Sequence, residues 1–214
     1  MTENKENSQI AQAPARGRNR SATAGVILES AKAQLAEFGF AEFGVNAIAR
    51  RAQCDKQLVY RYFGGLDGLV DAIAADLADW VGTHLAGPGD LPPAQSYAQR
   101  LEQVLLRYLT ALRADPLMRR IIAWEVSDDA PMLRRLAAAR TRAIGIWVAK
   151  MRGDLVPPPG LDAPALNAVL IAAVQHLVLS AAATGQFLST PLQSDEDWQR
   201  IAAMLSRMIQ SLQG

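Results

Sequence analysis

The sequence has 214 residues, of which 50% are hydrophobic and 20% charged, a composition that suits one large or two small folded domains. Its single cysteine, Cys54, excludes an intrachain disulfide, and with only two histidines, His84 and His176, a Cys/His zinc cluster has too few ligands. The first seven residues are polar and contain no apolar core of a signal peptide. We therefore expect a cytoplasmic protein with no metal site and no cofactor.

The net charge of +1 is unevenly distributed along the chain. Residues 14–63 contain eight basic and four acidic side chains, a balance of +4, which leaves −3 for the rest of the chain. A basic front on a mildly acidic body is typical of a nucleic-acid-binding head attached to a domain with another task. Chance asymmetry of solvated charges is the alternative.

Residues 1–20 are polar and show no periodicity, which predicts a flexible arm. Arg16, Arg18 and Arg20 lie at the end of this segment. Basic arms can enter a minor groove beside the main DNA contact, so these arginines are candidate DNA ligands. A disordered tail that happens to contain arginines is the alternative.

The next segment, residues 21–66, is predicted to be a domain of three helices. Apolar residues recur every three or four positions over residues 21–38, which predicts the first helix. Two shorter helices are predicted over residues 45–52 and 55–63, with a turn at residues 53–54 between them. This order is typical of a helix-turn-helix domain.

The third predicted helix carries polar side chains in its early turns, where a recognition helix meets base edges. Lys56 can donate to guanine O6 and N7, and Gln57 can pair bidentately with adenine. The hydroxyls of Tyr60 and Tyr62 suit phosphate oxygens, which set register rather than sequence. Asp55 is predicted to cap the helix by accepting from its free N–H groups.

Residues of this segment resemble the N-terminal domain of the TetR family of bacterial transcriptional regulators. The resemblance covers about residues 20–70 without insertion. It is carried by Ile27, Leu28, Phe38, Gly39, Phe40, Val45, Ile48, Ala49, Ala52, Tyr60, Arg61, Tyr62, Phe63 and Leu69.

The resemblance implies a DNA-binding regulator in the bacterial cytoplasm, associated with the nucleoid. It also implies a repressor, as is usual in the family, bound to a palindromic double-stranded DNA operator and released by a small-molecule effector. The predicted DNA contacts are Gly44, Val45, Asn46, Cys54, Asp55, Lys56, Gln57, Leu58, Tyr60, Arg61 and Tyr62, with Arg16, Arg18 and Arg20 on the arm.

Four positions depart from the family's pattern. Gly44 stands where a phosphate-contacting Thr or Ser is usual, and Leu66 where a phosphate-binding Lys is usual. Gln53 replaces a turn Gly, and Asp55 replaces a small hydroxyl residue and puts a negative charge near the duplex. Loss of one phosphate contact predicts weaker binding and a salt slope smaller by roughly one unit. A helical interaction protein, or a non-repressing regulator with weakened DNA binding, is therefore the alternative function.

Residues 67–214 are also predicted to be helical, which makes the whole fold all-α. No stretch shows the sustained alternation of a β-strand. The resemblance implies that this part is the ligand-binding and dimerisation domain. Helical spacing of apolar residues recurs over residues 66–85, 94–114, 116–126, 131–152, 164–186 and 195–212.

Residues 164–194 carry no charge apart from His176, which raises the question of a membrane span. Asn167, Gln175 and other polar residues interrupt the segment and no basic cluster flanks it, so we expect no membrane association. A helix apolar on all sides is buried on all sides, which in a small domain indicates a second subunit. We predict a homodimer, and packing of these helices on their own domain is the alternative. The predicted interface residues are Leu170, Val174, Leu177, Trp198, Ile201, Leu205, Met208 and Leu212.

The candidate effector contacts are bulky or adaptable side chains on predicted helices. His176 is the most specific, because a buried imidazole in an uncharged helix needs a polar partner. A core histidine bonded to a neighbour, and tryptophans that belong to the core, are the alternatives. The candidates are Trp80, His84, Tyr108, Met118, Trp124, Trp147, Met151 and His176.

An enzyme is the rival class of protein. The sequence contains no nucleophile elbow, no P-loop, no dinucleotide-binding glycine motif after a strand and no metal-ligand spacing. The glycine-rich residues 64–68 follow a predicted helix rather than a strand. We therefore expect no catalytic activity.

Overall fold

The computed structural model describes residues 13–85, 91–127 and 130–213, and these are almost entirely helical. A π-helical turn (Val81–Leu85) extends the fourth helix, and a 3₁₀ turn (Ser211–Gln213) follows the ninth. The all-α prediction is confirmed. The helices are α1 (Ala13–Phe38), α2 (Val45–Arg51), α3 (Lys56–Phe63), α4 (Leu66–Trp80), α5 (Tyr97–Ala114), α6 (Pro116–Glu125), α7 (Pro131–Arg152), α8 (Ala163–Thr184) and α9 (Asp195–Gln210).

The chain divides into two compact units, residues 1–72 and 73–214, and the division falls inside α4. The boundary predicted from the sequence lies between residues 66 and 67, at the start of α4. Because α4 continues through the division between the two units, the sequence has no helix-breaking residue there. The glycines before residue 66 mark the start of α4 instead. The assignment of ligand binding and dimerisation to the second unit stays a prediction.

In the first unit, α1 packs against α2, and α2 against α3. An ion pair of 2.7 Å between Arg51 and Glu37 joins α2 to α1 at the surface. The buried apolar side chains come from all four helices of the unit and from the loop before α2. They are Ile27, Ala31, Leu35, Phe43, Ile48, Ala49, Val59, Leu69 and Val70.

Helix α1 begins at Ala13, well before the predicted start at residue 21. Arg16, Arg18 and Arg20 therefore lie in a helix, which corrects their assignment to a flexible arm. Pro14 is compatible with the first helical turn, because the N–H that it lacks has no partner there. Residues 13–20 carry no apolar stripe, so periodicity could not reveal the helix. The part of the predicted arm over residues 1–12 lies outside the described residues.

Two glycines shape the connection between α3 and α4. Gly64 ends α3 in the left-handed conformation, with φ 75°, and its N–H donates to the carbonyl oxygen of Tyr60. A Cβ at Gly68 would overlap the carbonyl oxygen of Phe63, so only glycine allows the first turn of α4 to approach the end of α3 this closely.

In the second unit, α5 is the central helix and contacts α6, α7, α8 and α9. Its buried side chains include Val104, Leu105, Tyr108 and Leu112. Helix α8 ends at Thr184 because Gly185 takes the left-handed conformation, with φ 74°. The antiparallel strands β1 (Gln186–Phe187) and β2 (Thr190–Pro191) then form a small hairpin before α9. Strands of two residues are too short to leave a period of two in the sequence.

Candidate nucleic-acid interface and effector cavity

The turn between α2 and α3 is held by backbone hydrogen bonds. The N–H of Cys54 donates to the carbonyl of Ala49 at 3.0 Å, and that of Gln53 to the carbonyl of Arg50 at 3.2 Å. Gln53 has φ 52°, the left-handed conformation that the usual glycine would adopt more easily. Burial raises the pKa of the Cys54 thiol, and the negative charge of the nearby Asp55 carboxylate raises it further, so the thiol stays protonated.

Helix α3 begins at the predicted cap. The Oδ1 of Asp55 accepts from the N–H of Gln57 at 2.7 Å, which satisfies one of the free donors of the first turn. Val59 is fully buried and fixes the inner face of α3. Lys56, Gln57 and Tyr60 are exposed, and Tyr60 keeps 55% of its surface accessible. The predicted base-contacting and phosphate-contacting side chains therefore share the outer face and early turns of one helix.

Two arginines flank the Tyr62 ring beside this face. The Arg20 and Arg61 guanidinium carbons lie 5.9 and 5.5 Å from its centroid, within the range of a cation–π contact. This cluster brings a residue of α1 next to α3. The side chains of Arg16 and Arg18 lie outside the described residues.

The remaining predicted DNA contacts lie around the start of α2 and in α3. Gly44 is the N-cap of α2, extended at φ −141° and without a side-chain cap, and a Cβ there would meet nothing within 4 Å. Asn46 is exposed, and Val45 and Leu58 are half-buried. Leu66 is the first residue of α4 and is half-buried. Because its side chain is a hydrocarbon, it supplies no charge at this position.

The second unit contains a cavity of ≈ 410 Å³, within the usual range for small-molecule sites. Among the candidate effector contacts, Tyr108 and Trp147 line this cavity. So does Leu170, which was predicted at the dimer interface. Helices α5, α7 and α8 supply the lining, whose apolar members are Leu101, Val104, Leu105, Ile144, Gly145, Val148, Leu170 and Ile171.

Three polar side chains of the cavity, those of Arg140, Asn167 and Gln175, were not among the predicted effector contacts. Arg140 and Glu125 form a bidentate ion pair, with Nε to Oε1 at 3.1 Å and Nη2 to Oε2, and both side chains are about nine-tenths buried. Asn167 and Gln175 line the cavity from α8. Their spacing of eight residues, two turns apart on one face of an otherwise apolar helix, was the available signal.

Tyr108 presents a hydroxyl group to the polar side of the cavity. Its oxygen accepts from Nε2 of Gln175 at 2.8 Å, which leaves the phenolic O–H able to donate elsewhere. Burial raises the pKa of Tyr108, so the phenol is neutral. Two other cavity residues have a buried polar atom with no partner in the described part of the chain: Trp147 at Nε1 and Asn167 at Oδ1.

Six of the candidate effector contacts lie away from this cavity. Met118 is buried in the core, and Trp124 and Met151 are half-buried. Trp80 stacks on His84 at 5.2 Å between ring centroids, and His84 is exposed.

His176 is the sixth of these residues, and it was predicted to be buried. Its side chain is instead exposed within the single chain, edge-on to Phe187 at 4.9 Å. The periodicity of an evenly apolar helix does not say which side faces the core, which is why the prediction failed.

The predicted interface residues also divide between two faces. Leu177, Ile201 and Leu212 are half-buried, and Met208 is 53% exposed. The other four pack in the core of their own unit, which corrects their assignment to a dimer contact. On α9 the apolar stripe of an amphipathic helix faces its own domain, and on the evenly apolar α8 the sequence did not indicate which side is buried. These four are Leu170, Val174, Trp198 and Leu205.

Helices α8 and α9 nevertheless carry exposed apolar surface. Val169 is 66% exposed, and Met204 and Met208 are each 53% exposed. By length and composition alone, helix α8 is long and apolar enough to cross a membrane. Its most apolar 18-residue window has a mean hydropathy of 1.8, and 17% of the residues in that window are buried. Within the described residues the helix also packs against α5 and α6 and lines the cavity.

A known family of proteins matches most of the described part of the first unit. Residues 27–73 match the family model described as "Bacterial regulatory proteins, tetR family". A comparison with curated proteins found no match. The matched segment contains α2, α3 and the turn between them.

The fold of the whole chain is similar to that of several solved regulators. A TetR family transcription regulator from Marinobacter aquaeolei VT8 has 17% identity and a TM-score of 0.61, over 92% of this chain and 97% of that one. Salmonella enterica GusR has 18% identity and a TM-score of 0.61, over 89% and 95%. FadR from Bacillus subtilis, solved in complex with stearoyl-CoA, has 14% identity and a TM-score of 0.62, over 86% and 96%. Residues 27–73 thus match the model of the tetR family of bacterial regulatory proteins, and the chain has an all-helical fold similar to that of solved TetR-family transcription regulators.

Proposed function

We propose that the protein is a homodimeric transcriptional repressor in the cytoplasm, released from a palindromic operator when a small-molecule effector binds its second unit. One observation carries the DNA-binding part. Lys56, Gln57 and Tyr60 are exposed together on α3, while Val59 anchors the opposite side of that helix in the core. A polar, rigidly mounted helix face of this kind is what the major groove admits.

The roles of these side chains follow from their chemistry. Lys56 and Gln57 lie in the first turn of α3 and donate to base edges, so they determine which sequence is bound. Tyr60 donates to phosphate and sets the register of the helix on the duplex.

Phosphate binding is arranged differently from the family's usual pattern. Gly44 and Leu66 supply no donor side chain, and Asp55 adds a negative charge beside the recognition helix. The pair of arginines on Tyr62, Arg20 and Arg61, provides two positive charges near the same helix face. We propose that these arginines take over part of the lost phosphate contact.

The homodimer rests on the exposed apolar surface of α8 and α9. Val169, Met204 and Met208 are exposed, as is much of the uncharged helix α8. A second copy that covers this surface removes apolar side chains from water, which stabilises a dimer. A Met208→Glu variant should be monomeric in light scattering at micromolar concentration. Val126→Glu, at an exposed valine outside α8 and α9, is the control, and a stable monomer of the unchanged protein would contradict the dimer.

The effector part rests on the cavity in the second unit. The similarly folded FadR is solved in complex with stearoyl-CoA, so this architecture can hold a small molecule. An effector releases the operator only if it binds more tightly to the state of lower DNA affinity.

DNA binding can be tested with an operator selected from random duplex DNA and fluorescence anisotropy across a salt series. We expect a palindromic site and a steep salt dependence. Lys56→Ala should weaken binding about tenfold and relax base preference at one position. Tyr60→Ala should weaken binding to all sequences alike, and Lys150→Ala, at an exposed lysine of α7, should change nothing. Affinity that is independent of salt, with no preferred sequence, would favour the alternative function of a helical interaction protein.

A further inference from the structure

The cavity of the second unit adjoins a second chamber of different chemistry. The first, of ≈ 410 Å³, is called here the apolar chamber, and the second, of ≈ 230 Å³, the arginine chamber. Both are lined by Leu101, Val104, Gly145, Val148 and Asn167, so they are parts of one cleft.

The arginine chamber is positively charged. Arg100 of α5 and Arg152 at the end of α7 line it, and its lining contains no acidic side chain. Within the described residues neither guanidinium has an ion pair, and the buried Nε of Arg100 has no hydrogen-bond partner. Glu102, two residues after Arg100, accepts instead from Nε2 of Gln210 at 3.2 Å. Asp162, which precedes the lining residue Ala163, caps α8 by accepting from the N–H of Ala165 at 3.0 Å. Neither Glu102 nor Asp154, the acid two residues after Arg152, lines the chamber. A buried cationic donor without an acceptor is unfavourable, so this chamber suits an anion.

The apolar chamber has the opposite electrostatic character. Its one arginine, Arg140, is neutralised by the bidentate contact with Glu125. Most of its remaining lining is aliphatic or aromatic. Burial of an apolar group there is favourable, whereas a second charge would have to displace Glu125.

We propose that the effector is an anionic amphiphile. Its apolar chain occupies the apolar chamber, and its carboxylate or phosphate binds Arg100 and Arg152 in the arginine chamber. Planar guanidinium groups bind both anions through paired N–H donors. Asn167, which lines both chambers, hydrogen-bonds a polar atom next to the anionic group. This inference rests on the proposed function, because it names the chemical class of the effector.

Calorimetric titration of the full chain, without DNA, tests the charge requirement. The three probes share one chain: laurate, lauroyl-CoA and lauryl alcohol. Laurate binding identifies a carboxylate as the anion, and binding of lauroyl-CoA alone identifies a phosphate. We expect one of these anions to bind at least tenfold more tightly than lauryl alcohol.

Matched variants test the two chambers separately. Arg100→Gln and Arg152→Gln should each weaken binding of the anionic probe about tenfold and leave that of the alcohol unchanged. Arg142→Gln, at an exposed arginine of α7 outside both chambers, is the control.

Gly145 gives a way to fill the cleft without unfolding the protein. A Cβ at this position meets nothing within 4 Å, and Leu is a better helix former than Gly. Gly145→Leu should therefore abolish binding of all three probes while the melting temperature stays the same or rises. Gly145→Ala should leave most of the binding intact.

Equal affinity for laurate, lauroyl-CoA and lauryl alcohol would overturn the inference. So would an affinity for the anionic probe that the two arginine variants leave unchanged, or the absence of binding by all three. These outcomes are independent of the operator assay, which needs no effector. Binding of the anion without release of the operator would keep the cleft as a site for an anionic amphiphile and contradict the effector part of the proposed function.

Discussion

The two units differ in where they keep polar groups without a partner. In the described part of the chain, the first unit has none buried, and its available donors lie on the exposed face of α3. The second unit buries five: Trp80 Nε1, Arg100 Nε, Gln103 Oε1, Trp147 Nε1 and Asn167 Oδ1. Three of these five residues, Arg100, Trp147 and Asn167, line the cleft. Since an unsatisfied buried polar group costs about 1–3 kcal/mol, the proposed effector site lowers the stability of the second unit, whereas the proposed DNA-binding face of the first unit is solvated and carries no such cost. Substitutions in the two units should therefore have different consequences.

The largest effect is expected at the buried ion pair of the second unit. Arg140→Leu leaves Glu125 charged and buried, and should lower the free energy of unfolding by about 3–5 kcal/mol. Chemical denaturation measures this loss. The double variant Glu125→Leu/Arg140→Leu should recover most of it, because replacing both charges by apolar groups is close to neutral. Without such recovery, the loss would reflect packing rather than an unpaired charge.

The next effect has the opposite sign. Asn167→Leu removes a buried oxygen without a partner and should raise the free energy of unfolding by about 1 kcal/mol, while weakening effector binding. Chemical denaturation measures the free energy of unfolding, and calorimetric titration of the same sample measures the affinity for the effector probe. Leu166→Met, a neighbouring substitution on α8 outside both chambers, is the control. A loss of stability in Asn167→Leu would show that the amide is satisfied and that the contrast between the units is smaller than described.

In the first unit, the strained position is in the backbone rather than in a cleft. Gln53→Gly relieves the positive φ of the turn and should raise the free energy of unfolding by about 1 kcal/mol. Gln53→Ala keeps the strain and should show no gain. A stabilised alanine variant would locate the effect in the side chain instead of in φ.

Restoring a phosphate ligand should strengthen DNA binding with little change in stability. Leu66→Lys places a cation at the first residue of α4, and the slope of log affinity against log salt should become steeper by roughly one unit. Leu66→Gln is the uncharged control. An unchanged slope would mean that Arg20 and Arg61 already hold the phosphate concerned.

The smallest effect concerns pH and the capping box at the start of α9. The N–H and hydroxyl groups of Ser194, with the N–H of Gln193, hydrogen-bond the Asp197 carboxylate and lower its pKa below the ordinary 3.8. The folded state therefore favours the charged form, so its stabilising effect is present above the unfolded pKa and is lost as pH falls through the folded pKa. Asp197→Asn should flatten the decline of the melting temperature in that acidic range. An unchanged acid profile would rule out the capping box as a contributor.

The recognition helix was predictable because its determinants are local. Asp55 caps α3 through a contact two residues away, Gly64 ends the helix, and the alternation of Val59 with exposed neighbours follows the helical period. The family resemblance of residues 27–73 has the same origin, since the close crossing of two short helices requires particular residues at short range.

The cleft was not predictable in the same way. Tyr108 and Trp147 were among the candidates, but Arg140, Asn167 and Gln175 join them only when α5, α7 and α8 pack together. Bulk and polarity along one helix do not indicate which residues of distant helices will surround a common space. For this reason Met118 was predicted at the cavity and lies in the core.

The sequence by itself determined that the protein is all-α, that α3 is a capped helix with an exposed polar face, and which of its side chains are polar. All three depend on periodicity and capping, which act over a few residues. Only the tertiary structure decided that Arg16, Arg18 and Arg20 extend α1, that Leu170, Val174, Trp198 and Leu205 belong to the core, and that Arg140 is neutralised while Arg100 and Arg152 are not. The last two facts depend on contacts between residues far apart in the chain, and neither the apolar period nor the charge pattern of a single helix specifies its partner. The first depends on a helical turn without an apolar stripe, which leaves no period in the sequence.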